Sequence, residues 1–403
     1  MIVSKTSIEP VVITGIGIVS PFGHSVEELA RTFSRSHSVA PSASQEAACL
    51  ADVPSASLPE DKRARIGRLD RLCRFFLPAS YSAVRAAGLH IGREVAPERV
   101  GLSFGTGLGC LLTDAEYNRK VLEQGLGGAS PRLFAYTVSS AAAGEVSIAL
   151  GITGPNVTAH TGLAAGLGAV GYGFDLIQMG KADVVLAGGA DVVGPDLLAA
   201  LRDMDLLKPH TAARPFRDAV PGLYPSEAAV VFVLERRDGA RQRGARCWAR
   251  LGGYAAGFEP TLTRRRRDHT GIAETLRRAL AASGHGSADI DAVLCSAHGT
   301  PLDTTEQLAL ANVFAQQRGA PVVVAPKAAF GDSLGASGVL AAALTAGYWQ
   351  EKLELPDGVA FDINADPLAP RDAKPRLAAA RLVLIDALCY AGPIVALVIA
   401  REG

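Results

Sequence analysis

The chain has 403 residues in which 40 Lys and Arg balance 40 Asp and Glu, so no charge excess marks it for nucleic acid or an anionic membrane. Hydrophobic residues make up 48% and charged residues 20%, which supplies a large core and excludes a disordered or fibrous chain. Six cysteines lie scattered without a Cys-x-x-Cys pair or a His/Cys cluster; they suggest neither a disulfide framework nor a metal site, and a reducing cytoplasm is the simplest compartment.

The opening residues carry Lys5 and Glu9 and lack the apolar run of a signal peptide. Residues 11–20 form an apolar, β-rich run that ends at Pro21, and 25–34 then take up helical spacing. The same alternation recurs at 100–105 and 115–123, at 182–190 and 195–202, and at 290–297 and 304–316, which predicts α/β layers with covered sheets. Residues 35–63, rich in Ser, Ala and Pro, read as a surface excursion. The apolar stretch 382–400 approaches bilayer-spanning length, but Asp386, Gly392 and Pro393 divide it into two strand-length runs and predict a buried hairpin rather than a membrane helix.

Two helix openings resemble each other. Gly162-Leu163-Ala164-Ala165-Gly166 opens one helix ending near Met179, and Leu334-Gly335-Ala336-Ser337-Gly338 opens another ending near Gln350. Small residues there allow close packing, so a duplicated chain is expected, with both helices at its centre and halves at 1–245 and 246–403.

The order of local patterns resembles the β-ketoacyl synthase family over nearly the whole chain. The matching runs are Val12-Ile13-Thr14-Gly15-Ile16-Gly17, Gly105-Thr106-Gly107-Leu108-Gly109, Gly154-Pro155-Asn156, Leu186-Ala187-Gly188-Gly189-Ala190, Arg214-Pro215-Phe216, Ala297-His298-Gly299-Thr300, and Lys327 followed by Gly331. The resemblance implies a thiolase-like α/β fold, with duplicated halves in five layers (αβαβα), that dimerises around the nucleophile. It also implies a cysteine at a helix N-terminus, where backbone amides favour thiolate and oxyanion, together with two histidines and a supporting lysine.

Set on those positions, the sequence has lost chemistry. The nucleophile falls on Leu163, which no acyl group can esterify; His298 and Lys327 survive; and Asp332 stands where the second histidine would follow Gly331. The segment after His298 is two residues shorter than the family pattern, and the glycine-rich gate reads Leu388-Cys389-Tyr390-Ala391-Gly392-Pro393. Cys295, Cys389 and His160 are candidates for a relocated nucleophile, each with a plain core or interface role as the alternative. Glu227 matches a structural turn of the family.

A ketosynthase scaffold without its cysteine resembles the chain-length factor class, so the expected function is a non-catalytic subunit paired with an active ketosynthase in type II polyketide biosynthesis, aromatic or polyene. No cofactor is expected on this chain itself; phosphopantetheine-linked acyl chains on an acyl carrier protein are implied for the complex. Leu133, Phe134, Tyr136 and Leu163 are candidate tunnel or interface residues, and Arg264, Arg265, Arg266 and Arg267 a candidate carrier-protein dock, with a solvated loop as the bland alternative. Two other classes remain: an acyltransferase or hydrolase using His298 with Cys295 or Asp332 recruited, and a homodimeric acyl-binding protein.

Overall fold

The computed structural model describes residues 9–35, 46–207, 216, 222–260, 268–314, 320–361 and 377–402. Eleven strands are β1 (Val11–Val19), β2 (Val100–Gly105), β3 (Asn156–Ala159), β4 (Val184–Asp191), β5 (Ala228–Arg236), β6 (Ala249–Phe258), β7 (Ala292–Leu294), β8 (Val322–Val324), β9 (Ala360–Phe361), β10 (Leu382–Leu388) and β11 (Pro393–Ala400). They form one hydrogen-bonded sheet in the order β3-β2-β4-β5-β1-β6-β11-β10-β7-β8-β9, joined at its middle by the pairing of Val11, Val12 and Ile13 with Leu251, Arg250 and Ala249.

Outward from that junction the two sides repeat. β1-β5-β4-β2-β3 on one side and β6-β11-β10-β7-β8 on the other are each joined by two antiparallel and then two parallel pairings. The duplication suggested by the two helix openings is therefore written into the strand order as well. β9 is an addition to the second side, and the four-residue β3, paired only with β2, ends the first.

The helices that follow β3 and β8, Ala165–Gln178 and Ser337–Glu351, lie between the two sides. Ser337–Glu351 is buried continuously from Gly338 to Trp349, and apolar residues on all its faces suit it to a position between layers rather than at a surface. Leu167, Val170, Val339 and Leu344 share this central core with the inward faces of β1 and β5. Helices Arg71–Ala86 and Ala141–Leu150 cover the first side through Phe75, Phe76 and Val146, and Thr270–Ser283 and Leu302–Phe314 cover the second through Leu276, Leu310 and Phe314. Five alternating layers result, and the molecule has the thiolase-like architecture that the sequence implied.

The apolar stretch 382–400 folds as the antiparallel hairpin β10–β11, paired from Leu382–Ala400 to Leu388–Ile394. No helix among the described residues is long and apolar enough to cross a membrane. One boundary departs from expectation: the run at 290–297 is a strand only over Ala292–Leu294. The ladder stops because the Ser296 amide donates to two side-chain carboxylates.

The two central helix openings meet backbone to backbone. A Cβ added to Gly166 would lie 2.4 Å from the Gly335 carbonyl oxygen and 2.9 Å from Val339, a contact that requires the layers to move apart. Gly166→Ala is expected to destabilise the fold by about 1–3 kcal/mol, read as a lower denaturation midpoint at unchanged m-value; an unchanged midpoint would show that the layers separate freely.

Candidate functional site

The residues that matched the sequence pattern converge at the inner ends of the second-side strands. His298 is buried in the turn after β7, Lys327 opens a short helix after β8, and Asp332 lies just before the 334–336 turn. The His298 Nδ1 is 2.6 Å from Asp332 Oδ2, and Lys327 Nζ is 3.0 Å from the same oxygen and 2.8 Å from Nδ1. The other carboxylate oxygen accepts from the Leu334 amide at 2.9 Å and the Ser337 hydroxyl at 3.0 Å. Burial works against the Asp332 charge, but Lys327 and His298 outweigh it and hold the carboxyl well below the usual range.

A 2.6 Å contact to an ionised carboxylate calls for a proton between the two atoms, which Nδ1 supplies by donating to Asp332; in that tautomer the Lys327 ammonium, 2.8 Å from Nδ1, makes its hydrogen bond to Asp332. Nε2 lies 3.1 Å from Ser296 Oγ, which itself accepts the Leu388 amide at 3.0 Å. The backbone around the ring is fixed by Asp303, whose carboxylate takes the His298 amide at 2.8 Å and the Gly299 amide at 2.9 Å.

Behind Ser296 sits a pair of buried carboxyls. The Ser296 amide donates at 2.7 Å to both Glu306 Oε1 and Asp386 Oδ1, and the remaining oxygen of each acid has no hydrogen-bond partner among the described residues. Burial pushes the Asp386 carboxyl up to about 6 against the pull of Glu306, Ser296 and Lys327, and Glu306, buried and facing Asp386, rises well above its usual range. Burial and mutual repulsion both favour protonation of such a pair.

Leu163 occupies the helix opening where the family pattern has its thiol. It lines a cavity of about 10 Å³ with Ser296, Lys327, Ser337, Asp386 and Ala387, space for about one water and not for an acyl thioester. Gly162 beside it has φ +63°, and the Cys389 sulfur fills the space a Cβ would take, 2.4 Å from its position. The altered gate is thus packed directly against the altered nucleophile.

The remaining candidates separate. Cys295 is buried, and burial followed by Glu306 and Asp386 drives its thiol well above the ordinary range, which makes it inert as a nucleophile. His160 is exposed at the end of β3. Glu227 is structural, as expected: its carboxylate receives Arg71 at 2.7 Å and the amides of Leu50 and Val193. The three tunnel candidates lie in different surroundings: Leu133 is turned into the protein, Phe134 is 61% exposed beside Tyr117, and Tyr136 donates to Glu145 at 2.8 Å. Arg264, Arg265, Arg266 and Arg267 lie outside the described residues.

Among the described residues, Asp70, Cys73 and Cys110 are close enough to share a metal ion. Asp70, however, already caps the helix Arg71–Ala86 through the Leu72 amide and accepts from Thr113, while the Cys110 contact and burial push the Cys73 thiol far up, so the group reads as core. Residues that sequence reasoning passed over are Ser296, Asp303, Glu306, Asp386 and Asp191. Their signal was present only as polar interruptions in apolar runs, as Asp386 is between Ile385 and Ala387.

The Asp386 carboxyl, raised from about 3.9 in an unfolded chain to about 6, favours the folded state when protonated; that contribution is complete below pH about 4 and is lost as the pH rises through 6. Asp386→Asn is therefore expected to flatten the decline in stability between pH 4 and 8 that this titration predicts for the native chain, because the amide oxygen can still accept from Ser296 while position 386 no longer titrates. Denaturation midpoints across that range check it; parallel curves for the two proteins would assign the proton elsewhere.

Two family models match consecutive parts of the chain, the β-ketoacyl synthase N-terminal domain over residues 8–240 and the C-terminal domain over 248–356. The ketoacyl synthase alpha subunit of the tetracenomycin polyketide synthase of Streptomyces glaucescens is 32% identical over 356 residues, covering 82% of each protein. The 3-oxoacyl-[acyl-carrier-protein] synthase 2 of Staphylococcus aureus is 28% identical over 359 residues, covering 83% of this chain and 84% of the relative. Among solved structures, the ishigamide ketosynthase/chain length factor aligns over 98% of this chain and 100% of its own with a TM-score of 0.83 at 26% identity. With the repeated strand order, the central helix pair and the His298–Lys327 positions in place, the chain belongs to the β-ketoacyl synthase family.

Proposed function

We propose that this chain is a chain-length-factor subunit, incompetent for condensation by itself, that pairs with an active ketosynthase and shapes the acyl tunnel of a type II polyketide complex. The observation that carries the reading is Leu163 at the nucleophile position beside a cavity of about 10 Å³: the thioester intermediate of condensation has no thiol at the helix opening to form on, and with Leu163 in place no space to occupy. The ketosynthase/chain length factor likeness supports the subunit role. Support for the partner surface comes from β3, an edge strand with partly open side chains, and from the 111–138 segment, on which Leu122, Leu126, Phe134 and Val138 are all exposed. In this reading the partner carries cysteine, histidines and growing chain, and an acyl carrier protein delivers phosphopantetheine-linked acyl groups.

Co-expression with an active ketosynthase is the direct test. A one-to-one complex on size-exclusion chromatography, with the separate chain poorly soluble or weakly homodimeric, is the expected result; a stable monomer that ignores every candidate partner would contradict the reading.

Leu163→Cys is expected to leave the isolated chain without condensing activity. The second histidine position holds Asp332, turned away into its contacts with His298 and Lys327, so no second imidazole is available to the thioester carbonyl. Condensation by this single variant, measured by radiolabelled malonyl transfer, would reverse that assignment.

Within the complex, Phe134 is the tunnel candidate open to a partner, whereas Leu133 and Tyr136 are held within the subunit. Phe134→Ala is expected to shift product length without slowing partner acylation, since a long chain meets a wall that a short one does not reach, and an overpacking difference of about 1–3 kcal/mol moves product ratios about tenfold or more. Product mass spectrometry beside partner-acylation rates separates this from loss of the dimer, which would slow both.

A further inference from the structure

The His298 contacts that replace the family's chemistry have a second reading, independent of any partner. Ser296 Oγ, His298 and Asp332 stand in the order nucleophile, base and orienting acid, with Oγ to Nε2 at 3.1 Å and Nδ1 to Oδ2 at 2.6 Å. The Leu388 amide occupies one lone pair of Ser296 Oγ at 3.0 Å, and in the neutral tautomer with Nδ1–H on Asp332 the ring presents Nε2 as an acceptor for the hydroxyl proton. Asp332 is itself immobilised by the Leu334 amide and the Ser337 hydroxyl, as an orienting carboxylate must be. Ser296 and Lys327 line the same small cavity.

We propose that Ser296, His298 and Asp332 form a gated acyl-hydrolase site for a short-chain activated acyl group, a thioester or aryl ester, with Leu163 as the gate. Ser296 Oγ attacks the acyl carbonyl and forms the C–O bond while its proton passes to His298 Nε2. The oxyanion collapses, the bond to the thiol or phenol leaving group breaks, and that group takes the proton from Nε2. Water, deprotonated by His298, then cleaves the Ser296 ester and returns the proton to Oγ, releasing the carboxylic acid with no net oxidation. As the cavity holds about one water, the acyl group enters only when the partly exposed Leu163 side chain moves aside.

The test uses the purified full chain, its Leu163→Ala variant, and each combined with Ser296→Ala. The probes are an alkyl fluorophosphonate, followed by peptide mass spectrometry, and acetyl-N-acetylcysteamine and p-nitrophenyl acetate, followed by thiol or phenol release. The fluorophosphonate is expected on Ser296, at least about tenfold faster in Leu163→Ala than in the native chain, and Ser296→Ala is expected to reduce turnover in either background by about 10³-fold or to the uncatalysed rate. Release from only one of the two acyl probes fixes the leaving-group class. Ser296→Cys reads the geometry without opening the gate, and S-acylation at position 296 by the thioester is expected. Absence of Ser296 labelling in Leu163→Ala, in a protein whose circular dichroism and melting temperature match the native chain, overturns the proposal. Should Leu163→Ala fail to fold, absence of acylation in Ser296→Cys does the same, as does turnover that survives Ser296→Ala.

Discussion

One buried carboxylate ties the duplicated halves together. Asp191, at the end of β4, accepts from the Thr106 hydroxyl at 2.7 Å, from the Gly107 and Leu108 amides at 2.8 and 3.0 Å, and from the Gly335 amide at 2.7 Å. Three of those donors belong to the turn after β2 and the fourth to the helix opening of the opposite half, so this one side chain sets how near the halves can come. Burial raises its carboxyl to about 6 while the four hydrogen bonds pull the other way. The glycine contact of Gly166 with Gly335 is the steric side of the same constraint: the amide of Gly335 reaches Asp191 only if nothing larger than hydrogen separates the two helix openings.

Much of this frame was legible in the sequence because local chemistry and final position agree. The alternation of apolar runs and helical spacing located β1, β2, β4 and their following helices, and Gly392-Pro393 divided the last apolar stretch where the hairpin turns. The two small-residue helix openings, far apart in the chain, are the pair that touch at the centre. What periodicity could not reveal was pairing at a distance. Ser296 within an apolar run is indistinguishable from a strand residue until Glu306 and Asp386 are seen to capture its amide, and Asp332 reads as a lost histidine until Lys327 and His298 are found against it. The tunnel candidates came from a segment that the family resemblance brings towards a partner's pocket, and helical geometry over 131–134 sends the side chains of Leu133 and Phe134 in different directions.

The altered chemistry is unevenly divided between the halves. The first half has exchanged its nucleophile for a hydrocarbon that fills its own cavity, an exchange compatible with stable packing. The second half retains charged groups that cannot be removed singly: Lys327 faces Asp332 and lies near the Glu306–Asp386 pair, and loss of any partner would strand a buried charge at several kcal/mol. The survival of His298 and Lys327 is thus accounted for by electrostatics in the fold itself, whether or not either still meets an acyl group.

The short edge strand β3 has a further consequence for how such a chain exists in a cell. Among the described residues, Asn156–Ala159 pairs on one side with β2 and has no strand along its other backbone edge, with Thr158 Oγ1 buried and unpartnered. An open edge next to exposed Ile148 is a template for indiscriminate strand addition, and no proline or inward lysine stands on it as a guard. In the proposed complex a partner laid along this edge would remove that template, so an unassembled copy is the form most open to self-association.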